Sequence, residues 1–195
     1  MTQKWWWVRH GPTHATSFIG HTDMPADLSD VKKIKRLHDL LPDDADLISS
    51  DLIRASATAD AVAGNRNRLA HAASIREMHF GDWEAREFAS VAESDPELSR
   101  AFWENPGNAC PPNGESWNNF SQRIHGAIAE ISATSTAENI IAVAHFGTIL
   151  AAIQLAGNLS PKSVFSFRIE NLSVTRLEFA RESGAWSIQG VNHVP

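Results

Sequence analysis

The chain has 195 residues, 43% of them hydrophobic and 21% charged, enough to bury a full core within one α/β domain and too short for a second independent one. A net charge of -6 argues against a general nucleic-acid surface, because phosphate backbones are held by clustered Lys and Arg; any phosphate binding must be local. The single cysteine, Cys110, excludes an intrachain disulfide and fits a reducing compartment.

In chain order, Lys4 to Val8 is bulky and apolar, as in a strand buried on both faces of a parallel sheet, and it stops at Arg9-His10-Gly11-Pro12. Trp5-Trp6-Trp7-Val8 falls far short of the roughly 7–15 apolar residues of a signal peptide, and no stretch approaches transmembrane length. The expectation is a soluble cytoplasmic protein without membrane contact. Val31, Ile34, Leu37 and Leu41 recur at helical spacing and Pro42 closes the segment, so a helix is placed there. Leu47-Ile48 reads as a second strand. Ser49-Ser50-Asp51 then offers caps for an Ala-rich helix from Arg54 to Ala63 that Gly64 ends.

Four prolines, Pro96, Pro106, Pro111 and Pro112, punctuate the middle of the chain, where short helices and loops form a cap over about 85–113. Phe120, Ile124, Ile128 and Ile131 keep one face of a long helix apolar from Ser116 onward. Asn139 to Ala144 is the clearest strand, ending at His145 before a helix that finishes near Gly157. Alternation from Leu172 to Phe179, the Ser183-Gly184 turn and the run from Trp186 to Val191 predict a C-terminal hairpin. The fold expected is a single α/β domain over 1–195: a three-layer sandwich whose mostly parallel central sheet is flanked by helices, with a small helical cap.

Ligands of open α/β sheets bind beyond the carboxyl ends of parallel strands. There the first strand delivers Arg9 and His10, the second Arg54, the segment around Ile75 Glu77, and the Asn139 strand His145. Two guanidiniums match phosphate oxygens, an imidazole can attack phosphorus, and a carboxylic acid can protonate a leaving alkoxide. Together they describe metal-free phosphoryl transfer. The remaining histidines lack zinc-type spacing with Cys or carboxylates, so neither metal nor cofactor is expected. His14 and His21 lie close enough to the first loop to touch substrate.

Arg9-His10-Gly11 after a strand resembles the signature of the histidine phosphatase superfamily, which includes the phosphoglycerate mutases. Ser50-Asp51-Leu52-Ile53-Arg54-Ala55, Glu77-Met78-His79-Phe80-Gly81-Asp82-Trp83-Glu84, Gly114-Glu115-Ser116 and Ala144-His145-Phe146-Gly147-Thr148 resemble further family segments in the same order. The resemblance implies that His10 becomes phosphorylated, that Arg9, Arg54 and His145 hold phosphoryl oxygens, and that Glu77 is the proton donor. Asp82 and Glu84 are the competing acids, with Glu84 read as a structural hydrogen-bonding residue. Four positions depart from the family pattern. Pro12 replaces a frequent glutamate, Thr16 an asparagine whose phosphate contact a hydroxyl could still supply, Phe146 a glycine, and Ala85 the glycine that usually closes the tryptophan-glutamate block.

The expected activity is that of a phosphomonoesterase acting on a small phosphorylated metabolite, without nucleic-acid partners; a homodimer is left open. A mutase is the second reading, disfavoured by chain length and by Thr16, and a catalytically silent phospholigand-binding module is the third. The Lys32, Lys33, Lys35 and Arg36 cluster reads as a solvated helix face, and Cys110 as a small packed residue beside Pro111.

Overall fold

The computed structural model describes residues 2–195. Strand β1 (Thr2–Arg9) opens the chain and is followed by α1 (Val31–Leu40), β2 (Asp46–Ser49), α2 (Ile53–Ala61) and the two-residue β3 (Asn67–Arg68). Helices α3 (Phe88–Ser94) and α4 (Pro96–Glu104) form the cap; then come α5 (Trp117–Thr134), β4 (Asn139–Ala144), α6 (Phe146–Gly157), the single turn α7 (Pro161–Val164), β5 (Val174–Ala180) and β6 (Ala185–His193). The sheet order is β3-β2-β4-β1-β5-β6. The first four of these strands run parallel, while β5 lies antiparallel to β1 and β6 antiparallel to β5.

The two sheet faces bury different residues because side chains alternate along each strand. Val8, Leu47, Ile141 and Val143 meet Leu37, Leu41, Ala55 and Ala59 from α1 and α2. Trp5, Trp7, Ile140 and Ala142 meet Phe120, Ile124, Ile149 and Ile153 from α5 and α6, and the same core continues through Trp83 to Val91 of α3 and Phe102 of α4. Three layers result. The tryptophan run divides accordingly: Trp5 and Trp7 are fully buried and stacked at 5.3 Å, whereas Trp6, on the opposite face, is only partly covered and lies under the Arg176 guanidinium. Complete burial of both faces therefore holds for Val8 but not for Trp6.

Local chemistry sets the element ends. Asp30 caps α1 by accepting from the Lys33 N–H, and Ser116 caps α5 by accepting from the Asn119 N–H. Arg66, although buried, donates to the carbonyls of His38, Leu41, Pro42 and Val62, which stand at the ends of α1 and α2 and would otherwise be orphaned. One sequence expectation is corrected. The segment before Glu77 is a short 3-10 turn, Ala73–Ile75, and the third parallel strand is Asn67–Arg68; it is too short and too polar to show the period of two that marks a strand.

Candidate active site

The register of β1 against β4 pairs Arg9 with Ala144, and the His10 N–H donates to the Ala144 carbonyl at 3.0 Å. His10 and His145 therefore leave the sheet side by side, their rings 5.1 Å apart. Arg54, one residue into α2, reaches the same point from the neighbouring strand end. Arg9, His10, Arg54 and Glu77 line one cavity of about 360 Å³, with fully buried His145 behind them.

Hydrogen bonds fix both imidazoles. His10 Nδ1 lies 2.6 Å from the Gly11 carbonyl; a carbonyl can only accept, so Nδ1 carries the proton and Nε2 keeps its lone pair. His145 Nδ1 lies 3.2 Å from Arg54 Nε; a guanidinium can only donate, so Nδ1 accepts and Nε2 carries the proton. That Nε2 is buried without a partner, as is Arg9 Nε. Two donors beside His10 thus await an acceptor, the condition an anion would relieve.

Burial, reinforced by Arg54 and Arg9, lowers the His10 pKa to about 3, although the Gly11 hydrogen bond works the other way. His145 is likewise held well below the ordinary imidazole value by burial and by His10, Arg54 and Arg9. Both rings are neutral near pH 7. Glu77 moves in the opposite sense: burial raises its pKa, against the pull of the Met78 and Gly147 N–H groups and of Arg54 and Arg9. Its carboxyl accepts from Met78 N at 2.9 Å and from Gly147 N at 3.1 Å. A Cβ at position 147 would sit 2.5 Å from Glu77 Oε1, so only glycine lets this backbone approach the carboxyl.

The cations are braced by carbonyls. Arg9 donates to Ile169 O at 2.6 Å, and its guanidinium lies 5.4 Å from the centre of the Phe146 ring. Arg54 donates to Gly20 O at 2.6 Å and Thr22 O at 2.9 Å; with the bond to His145, three of the five N–H groups of a guanidinium are engaged and two stay available. The loop that supplies those carbonyls is itself stapled by Glu84, which accepts from the backbone N–H groups of Gly20, His21, Thr22 and Phe80 and from the Thr22 hydroxyl. Glu84 is thus a structural acceptor, and Asp82 is bound to Asn113 on the surface. Of the three acidic candidates, only Glu77 faces the cavity.

Thr16 does not join the others. It is exposed and off the cavity wall, whereas Thr13, Ala15 and Ser17 line it; the backbone between them turns through a left-handed His14 with φ of +56°, and the hydroxyls on offer are those of Thr13 and Ser17. His14 is exposed and paired with Asp27 at 2.9 Å, and His21 binds the Glu77 carbonyl instead of lining the cavity. Three supporting residues received no role from the sequence, Thr58 among them although Thr58-Ala59 continues the Ser50–Ala55 segment that resembles the family's. Thr58 accepts from the Gly11 N–H and donates to the Arg54 carbonyl; its place one helical turn beyond Arg54 was the available signal. Asn171 donates to the His10 carbonyl at 2.9 Å from 161 positions away, and nothing local in the sequence marks it. Arg123, held by Glu115, donates to the carbonyls of Ser74, Arg76 and Glu77 and so fixes the turn that presents Glu77.

Among the described residues no group of three or more His, Cys, Asp or Glu is arranged to hold a metal ion, and no helix is long and apolar enough to cross a membrane. The model of the histidine phosphatase superfamily (branch 1) matches residues 5–193. The chain is 33% identical over 172 residues to an adenosylcobalamin/alpha-ribazole phosphatase of Salmonella typhimurium, covering 85% of each chain, and 30% identical over 193 residues to the Escherichia coli protein of that name, covering 96% of this chain and 89% of the relative. The crystal structure of the alpha-ribazole phosphatase from Shigella flexneri superposes with a TM-score of 0.84 at 29% identity, over 97% of this chain and 96% of that one. The fold alone is shared with Bacillus stearothermophilus YhfR, TM-score 0.89 at 23% identity, over 99% and 98% of the two chains. With the five expected polar side chains gathered at the carboxyl edge of the sheet and the family pattern running through nearly its whole length, the chain belongs to the histidine phosphatase superfamily, within its phosphatase branch.

Proposed function

We propose that the chain is a phosphomonoesterase that passes the phosphoryl group of a small phosphorylated metabolite first to His10 Nε2 and then to water. The observation that carries this reading is the pair of opposite tautomers: His10 presents a lone pair while His145, 5.1 Å away, presents a buried N–H without a protein partner.

In the first step His10 Nε2 attacks phosphorus and the ester P–O bond breaks. Negative charge on the equatorial oxygens is met by Arg9, by the two free N–H groups of Arg54 and by His145 Nε2–H, donors already in place before reaction. Glu77, kept protonated beyond the ordinary carboxyl range by burial, gives its proton to the leaving alkoxide, a contribution of about 10²–10⁴ in rate. In the second step the Glu77 carboxylate takes a proton from water as that water attacks phosphorus; the P–N bond breaks, phosphate leaves and neutral His10 returns.

The relatives' names make an alpha-ribazole phosphate the first ester to assay. The test is a brief incubation with a radiolabelled phosphomonoester followed by denaturation in base. The expected result is acid-labile, base-stable label on wild type and none on His10→Ala, which also loses phosphate release. Unchanged hydrolysis by His10→Ala would refute the assignment of the nucleophile.

A further inference from the structure

The cavity has two unlike ends. Around His10 its walls are ionic, but towards the cap they are Phe18, Phe80, Phe88 and Trp103, and beyond Arg9, His10, Arg54 and Glu77 no charged side chain lines it. A leaving group with a second carboxylate, ammonium or phosphate would lose its hydration there without gaining a counter-ion.

The aromatic end is built rather than incidental. Phe88 and Trp103 are 48% and 47% exposed, and among the described residues no other Phe or Trp is exposed. They come from different cap helices, yet both rest on the buried Phe18: Phe88 meets it edge-on at 4.5 Å, and Trp103 lies nearly parallel to it at 6.1 Å and 24°. Trp103 is also held edge-on by Phe102 at 5.0 Å. Each ring is supported from behind and open towards the space above the phosphate-facing groups. Open aromatic surface inside a ligand cavity marks a recognition element.

We infer that Phe88 and Trp103 are specificity-determining residues that select phosphomonoesters whose leaving group carries a planar aromatic ring. This inference rests on the phosphomonoesterase reading. The leaving group stacks against the open rings while its phosphate meets His10, and the contacts act in the ground state and the transition state alike, so they show in KM.

The experiment compares benzyl phosphate with cyclohexylmethyl phosphate, esters of similar size whose leaving alcohols have similar acidity, so that their ratio of kcat/KM isolates the ring. One aromatic contact is worth about three- to tenfold in binding. The wild type is expected to favour the benzyl ester by about tenfold, and Trp103→Leu and Phe88→Leu each to lower that ratio by about three- to tenfold, through KM. Both side chains are half-exposed, and unchanged circular dichroism confirms folding; having two variants on two helices keeps the test decisive if one is disturbed. A wild-type ratio near one, or a ratio unmoved in both variants, overturns the selection while leaving the phosphatase reading intact. Release of phosphate from neither ester nor any other phosphomonoester overturns both.

Discussion

Replacing Glu84 with Gln tests whether the cationic site is braced from outside. Oε1 accepts from His21 N at 2.7 Å and Phe80 N at 3.0 Å, and Oε2 from Gly20 N at 3.1 Å, Thr22 N at 3.0 Å and the Thr22 hydroxyl at 2.6 Å. Whichever oxygen becomes NH2, at least two backbone donors lose their acceptor and face another donor. A buried donor left unpaired costs about 1–3 kcal/mol; because the site is half-buried, we take about 2–3 kcal/mol for the pair. At about 2–4 °C per kcal/mol for a chain of this size, Tm falls by roughly 5–10 °C. The loosened loop carries the Gly20 and Thr22 carbonyls that aim Arg54, so kcat/KM drops by about 10–100-fold. Differential scanning fluorimetry and phosphate release measure the two losses. An unchanged Tm with kcat abolished would refute the reasoning, since that is the behaviour of a proton donor rather than a brace. Tm and kcat/KM both at wild-type values would refute it equally. Although burial pushes the Glu84 carboxyl up, hydrogen bonds from Thr22, His21 and Phe80 outweigh it and hold its pKa below the usual range; the brace is complete above the ordinary carboxyl pKa and is lost as pH falls through the lowered value.

Two further outcomes are expected. Ala85 adopts φ of +60°, a left-handed conformation costing an L-residue about 1–2 kcal/mol, part of which glycine returns through its freer unfolded chain; Ala85→Gly should raise Tm by roughly 1–4 °C, and a lower Tm would contradict this account. His10 and His145 have depressed pKa values in the folded protein, so the unfolded chain binds more protons below about pH 6.5 and stability is lost as pH falls from there towards about 3. Urea midpoints taken between neutrality and mild acid should fall in wild type and fall less steeply in His145→Gln; parallel curves would show that the buried rings do not control acid stability.

The parts of the site legible in the sequence are those set by position along the chain. A run of apolar residues that stops at Arg9-His10 or at His145 is a strand delivering its next residues to the carboxyl edge, and the register of β1 on β4 makes the two histidines neighbours. Glu77 was located by the segment around it, because the turn before it has no strand period to read. Thr16 is set apart by a loop that turns at His14, whose φ is +56°: Thr13, Ala15 and Ser17 line the cavity while Thr16 is exposed, and no local pattern in the sequence announces that turn. The braces were illegible for another reason. Asn171 to His10 and Glu84 to the Gly20–Thr22 loop join segments 161 and 62–64 positions apart, and such pairings exist only once the sheet and loops have packed. Ala85, visible as a departure from the family's glycine, acquired a physical meaning only with its φ.

Strand β1 lies between β4 and β5, with Trp5 paired to Ile140 on one side and Leu177 on the other. During synthesis the segment that presents His10 leaves the ribosome well before both its neighbours, since β4 and β5 lie far downstream of it in the chain. Until Ala144 is out both backbone edges of the tryptophan-bearing strand are unpaired, and until Ala180 is out one of them remains so. The strand that presents the nucleophile is thus held from both sides only once β5 adds its ladder to that of β4, and a chain released before β5 would carry His10 on a strand with one edge open.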